Sequence, residues 1–67
     1  MTEVSINHIR QLRKERKMTL SVLSQMAGIS VAYLSDIERG NRPGGRITLI
    51  KIADALGVKV EDLRKVG

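Results

Sequence analysis

The chain contains no cysteine, no phenylalanine and no tryptophan. Without cysteine it has neither a disulfide nor a thiolate metal site to staple it. Tyr33 is its only aromatic residue, so a core must be built from Ile, Leu, Val, Met and Ala. No apolar run approaches the ~18 residues of a membrane span. The opening residues, MTEVSINHIR, include no apolar stretch of the kind a secretory signal needs. These absences lead to the expectation of a cytoplasmic protein with no membrane partner. Catalytic furniture is missing too. There is no nucleophile–base set, no phosphate-binding glycine loop and no metal-ligand cluster. His8 is the sole histidine and has no second ligand at helical spacing. An enzyme is not expected, and no cofactor is implied.

What is present is short, basic and periodic. A chain of 67 residues is expected to form one domain, residues 1–67. Such a chain buries only about 60% of its unfolded surface, so its stability depends on regular helices or self-association. A net charge of +5 and a pI near 10.3 favour a polyanionic partner, although a basic surface with no partner has the same composition.

The stretch TLSVLSQMAGISVAYLSDIERG, Thr19 to Gly40, organises the rest. It reads as two short helices joined by a tight turn at Gly28, where glycine supplies a positive φ without steric cost. Thr19 and Ser30 are placed to cap the two helices, and Met18 to pack before the first cap as a hydrophobic staple. Leu23, Ala27, Leu34 and Ile37 face inward, with Ile29 entering the core from the turn. Ahead of this unit, Ser5 or Asn7 opens a helix running to about Arg16, with Ile6, Ile9 and Leu12 on one face. Arg13 lies beside that face and needs an acidic partner; Glu38, on the flank of the inward face of the third helix, is the candidate. Arg10, Lys14 and Lys17 make a basic stripe, either a solvated face or a phosphate contact. After a loop, NRPGGR, a fourth helix is expected from about Ile47 to Leu56 with Leu49, Ile52, Ala53 and Leu56 inward. Gly57 stops it, and a short last helix from Val60 to about Lys65 buries Leu63. The fold class is therefore all-α, with five helices and no strand signal.

The order and spacing of I-x-x-L-R at Ile9–Arg13, A-G-I-S at Ala27–Ser30, Y-L-S-x-I-E-R-G at Tyr33–Gly40 and L-I-K-I-A-x-A-L-G-V at Leu49–Val58 resemble the Cro/repressor-type (Xre-like) helix-turn-helix family. The likeness runs from Ile9 to Leu63. It implies a compact five-helix, lambda-repressor-like domain that binds double-stranded DNA, with helix-turn-helix at helices 2–3 and the third helix in the major groove. It also implies a homodimer on a palindromic operator, a transcriptional regulator of bacterial or phage, nucleoid-associated type, and a buried Arg13–Glu38 ion pair. The chain departs from the family pattern in four places. Leu20 replaces the glutamine that usually opens the second helix. Lys17 stands where glycine often ends the first, so a lysine would be held at positive φ. Pro43, Gly44, Gly45 and Arg46 replace the common Pro-Ser-Leu entry to the fourth helix, and Lys59 replaces a small polar cap.

Carried over position by position, the resemblance places base reading at Val31, Ala32 and Asp36, with Ser35 and Arg39 on the same outward face. Val31 and Ala32 can meet a thymine methyl but cannot read hydrogen bonds. Asp36 either accepts from a cytosine amine or is a solvated charge facing Arg39 or Arg42. Arg39 reads guanine through its planar fork or holds a phosphate. Phosphate contacts are expected from Arg42, Arg46 and Asn41 in and after the loop, from the helix ends at Thr19 and Ser30, and from the Tyr33 hydroxyl. Val22 and Met26 either broaden the core face of helix 2 or meet another protein. Ile50, Val60 and Val66 mark the end of helices 4 and 5 as the expected dimer surface. Two rivals stay open. One is an antitoxin or restriction–modification controller of the same fold; the other is a protein-interaction module that has lost specific DNA reading.

Overall fold

Four α-helices and one closing 3₁₀ helix make up the regular structure of residues 8–64, the part of the chain that the computed structural model describes. They are α1 (Ile9–Glu15), α2 (Leu20–Ala27), α3 (Val31–Glu38) and α4 (Arg46–Leu56), followed by a 3₁₀ helix at Val60–Arg64. There is no strand among the described residues. The expected fifth α-helix is thus a tighter 3₁₀ turn, a form suited to so short a segment. Leu63 is nonetheless buried, as expected. The caps proposed at Ser5 and Asn7, and the contributions of Ile6, Lys65 and Val66, lie outside the described residues.

Sequence chemistry fixes the helix ends. The Thr19 hydroxyl oxygen accepts from the Val22 N–H and the Ser30 hydroxyl oxygen from the Tyr33 N–H, each at 3.0 Å. Each bond satisfies one orphan donor of a first helical turn. At the other end of α1, the Lys17 N–H donates to the Lys14 carbonyl (2.9 Å) and the Met18 N–H to the Arg13 carbonyl (3.1 Å). This is the paired 5→2 and 6→1 closure of a helix, and it needs a left-handed residue. The same pairing recurs after α2, α3 and α4, centred on Gly28, Gly40 and Gly57. Only at α1 does a side chain occupy the position: Lys17 sits at φ 56°, at a cost of about 1 kcal/mol relative to glycine.

The core is aliphatic throughout. Ile9, Leu23, Leu34, Ile37, Ile52 and Leu63 are almost wholly buried, one or two from each element. Met18, Leu20, Ile29 and Tyr33 pack on its edge. Leu20 is therefore explained by packing: in place of a side chain reaching outward, the start of α2 folds an apolar one onto the core. Val22 and Met26 do not broaden that core, being 45% and 55% exposed. The 3₁₀ segment is drawn back to the start of the described chain, where the His8 N–H donates to the Leu63 carbonyl at 2.7 Å.

Two arginines of the basic run in and just after α1 are structural. Arg13 is buried and all three of its guanidinium nitrogens are used. Nε and Nη2 donate to Glu38 at 2.7 and 3.1 Å, and Nη1 donates to the Met18 carbonyl at 2.8 Å. One fork thereby ties α1 and the α1–α2 connection to the end of α3. Arg16 donates through Nε to the Leu56 carbonyl (2.7 Å) and through Nη1 to the Leu12 carbonyl (3.1 Å). It caps the C-terminus of α4, where a cation is favoured. Arg10, Lys14 and Lys17 are left exposed.

Candidate nucleic-acid interface

α2 and α3 are joined through Gly28, Ile29 and Ser30, and the chain bends by 108° between them. Gly28 at φ 72° makes the turn, and Ile29 anchors it against the core. Both the angle and the connection length fit a helix-turn-helix, in which the second helix projects from its partner. Because Leu34 and Ile37 are pulled inward, the 100° step between residues turns Val31, Ala32, Ser35, Asp36 and Arg39 to the other side. Val31, Ala32 and Arg39 are exposed, while Ser35 and Asp36 are half-buried. The structure thus brings all five proposed base readers onto α3 and its end. Arg39 lies beside Ser35, its Nη2 3.4 Å from the Ser35 hydroxyl oxygen.

The segment after α3 folds back along the flank of this helix. The Asn41 N–H donates to the Asp36 carbonyl at 2.9 Å. Arg42 Nε is 3.3 Å from Asp36 Oδ2, and the Arg42 guanidinium lies 5.8 Å from the centre of the Tyr33 ring. Tyr33 in turn donates its hydroxyl hydrogen to the Gly44 carbonyl at 3.1 Å. That hydrogen is committed within the protein, so the expected donation from Tyr33 to a phosphate is not available in this arrangement. Gly44 itself is buried at φ 90° under Ile37 and Leu49. The Pro43-Gly44-Gly45 departure from the usual loop is thus a latch between α3 and α4. Sequence reasoning placed Tyr33 and Arg42 here but missed the latch; the adjacent glycines eleven and twelve residues after a half-apolar tyrosine were the available signal.

Three further groups complete the edge. Asn41 and Arg46 are exposed, Arg46 opening α4. The capping hydroxyls of Thr19 and Ser30 accept hydrogen bonds with their oxygens, which leaves their O–H groups as donors. The result is an outward helix face that is apolar at Val31 and Ala32 and mixed in charge at Asp36 and Arg39. Arginines border it on the loop side and hydroxyl-bearing helix starts on the other. No cluster of metal-ligating side chains occurs among the described residues, and no single described helix is long and apolar enough to cross a membrane.

Residues 9–63 match the helix-turn-helix family. The chain belongs to that family. A helix-turn-helix transcriptional regulator of Deinococcus deserti, DdrOP3, is 44% identical over 55 residues, which is 82% of this chain and 43% of that protein. The immunity repressor of Bacillus phage phi105 is 44% identical over 52 residues, 78% of this chain and 36% of the repressor. This helix-turn-helix chain therefore spans less than half the length of either relative. Among solved structures, the restriction–modification controller protein C.AhdI from Aeromonas hydrophila superposes with a TM-score of 0.81 at 27% identity, covering 84% of this chain and 85% of that one. SinR, the master regulator for biofilm formation, solved in complex with DNA, superposes at 0.78 with 39% identity, covering 87% and 94%. The all-α class inferred from periodicity is the class of these helix-turn-helix neighbours.

Proposed function

We propose that residues 1–67 act as one sequence-specific double-stranded DNA-binding domain of a cytoplasmic transcriptional regulator, a repressor that occupies promoter DNA as a homodimer on a palindromic site. The observation that carries this is the outward face of α3, presented by a 108° helix-turn-helix and flanked by exposed arginines. The relatives point the same way: one is named a repressor, and SinR is solved on DNA. The likeness to C.AhdI supports a second reading, a restriction–modification controller. An antitoxin of the same fold stays within that biochemistry.

In this reading the exposed Arg46, the Asn41 side chain and the hydroxyls of Thr19 and Ser30 grip phosphates on the two sides of a major groove. Arg42 is engaged through Nε with Asp36 and offers its two terminal nitrogens to the backbone. Val31 and Ala32 meet thymine methyls. Arg39, with Ser35 beside it, reads a guanine edge, and DNA shape supplies further selectivity. The dimer forms through α4 and the 3₁₀ segment, where Ile50 is 40% exposed and Val60 is only partly covered. Ile47, at the start of α4, is 70% exposed and extends the same helix's apolar surface.

The grip is tested by duplex affinity as a function of salt. Binding weakens steeply with salt, and Arg46→Ala makes the log–log slope shallower by about one unit. A wild-type affinity indifferent to salt would overturn the DNA reading; an unchanged slope in the variant would remove Arg46 from the contact set.

A further inference from the structure

Asp36 is an unusual residue to aim at a polyanion. A lone carboxylate on the outward face of α3 is repelled by phosphates, yet this one is not alone. Its Oδ2 faces Arg42 Nε at 3.3 Å, and Arg42 lies 5.8 Å over the ring of Tyr33, three residues before Asp36 on the same side of the helix. Tyr33 is itself fixed by its bond to the Gly44 carbonyl. The arginine is therefore seated by a ring below and a carboxylate beside it, and the local charge of the pair is zero. The shortest contact of the pair is made through Asp36 Oδ2, and the Asp36 side chain remains 34% exposed.

A charge-paired, partly exposed carboxylate on a groove-facing helix has a defined chemical preference. It accepts hydrogen bonds and donates none. In the major groove cytosine offers only its N4 amine, guanine and thymine offer acceptors, and adenine sets an acceptor beside its donor. We propose that Asp36 selects cytosine at one position of the bound site, with Arg42 as the positioning residue that holds its carboxylate and cancels its charge. The assignment rests on the reading of α3 as the groove-entering helix.

Selection of binding sites from random duplexes tests it, using the full chain and three variants. Wild type enriches a site with cytosine at one position. Asp36→Asn converts that position to adenine, which a carboxamide pairs with through both its donor and its acceptor, and leaves the rest of the motif intact. Arg42→Ala lowers discrimination for cytosine there by about tenfold and weakens overall affinity. In the Arg42→Ala background, Asp36→Ala recovers affinity by removing an unpaired carboxylate, without restoring the cytosine. A wild-type motif that Asp36→Asn leaves unchanged overturns the role of Asp36 while DNA reading stands. No recovery in the double variant overturns the role of Arg42. No wild-type motif at all overturns the underlying reading, and this assignment with it.

Discussion

Glu38→Ala is expected to destabilise the domain by about 3–5 kcal/mol, the range found when one partner of a buried ion pair is removed. The side chains of Arg13 and Glu38 are 11% and 5% exposed. Truncating the glutamate leaves a guanidinium in the core with two of its three hydrogen-bonding nitrogens unsatisfied. Only the Met18 carbonyl remains as a partner. A chain of this length has about 3–10 kcal/mol of total stability by the usual per-residue range, so the loss is comparable to the whole. Urea denaturation of wild type and variant measures it. The paired replacement Arg13→Met with Glu38→Leu is expected to recover most of the loss, because apolar side chains of similar volume need no counter-charge. A single variant within about 1 kcal/mol of wild type, in the range of an exposed pair, would mean that the pair does not hold α1 to α3.

Gly44→Ala should cost about 2–5 kcal/mol, and Gly45→Ala beside it about 1–3 kcal/mol. Both glycines have positive φ, 90° and 73°, and Gly45, with ψ 158°, lies in a region open essentially to glycine; holding a residue with a Cβ in such conformations costs about 1–3 kcal/mol. Their surroundings differ. A Cβ at Gly44 would stand 3.1 Å from Ile37 Cδ1 and 3.4 Å from Leu49 Cδ2, whereas at Gly45 nothing lies within 4 Å. Crowding in the seam between α3 and α4 therefore adds about 1–2 kcal/mol at Gly44 alone. The displacement also pulls on the Tyr33–Gly44 bond and on the loop carrying Asn41 and Arg42, so duplex affinity should fall more for Gly44→Ala under conditions where both variants are folded. Thermal denaturation of the two side by side is the check. Equal losses would place the whole effect in backbone conformation and remove the steric part of the explanation.

Much of this fold was legible because it is governed by short-range rules. A hydroxyl residue three positions before a free N–H makes Thr19 and Ser30 caps wherever they occur. A 100° step per residue places Leu23, Leu34, Ile37 and Leu56 inward, and sets Arg13 and Glu38 on flanks where they meet. The left-handed conformation at Lys17 was implied by the resemblance, in which glycine often ends the first helix, and the closing hydrogen bonds there match those at Gly28. What stayed hidden depends on contacts distant in sequence. No local pattern announces that Arg16 reaches the Leu56 carbonyl, forty residues on. Leu20 looked like a lost polar contact because its outward position in the family was weighed before its path to the core. The exposure of Val22 and Met26 follows from how α3 and α4 cover α2, which periodicity within α2 does not contain. In the site, the positions of the outward residues on α3 were readable from helical geometry, but the latch formed by Tyr33, Arg42 and Gly44 depends on how a glycine-rich loop folds against a helix.

Base reading by α3 is tested most directly by selection from random duplexes with the wild-type chain beside a Ser35→Ala, Arg39→Ala variant. The predicted result is one enriched motif for wild type, with preference lost in the variant at the positions facing those side chains. An absence of enrichment, or a motif identical in the two proteins, would contradict it.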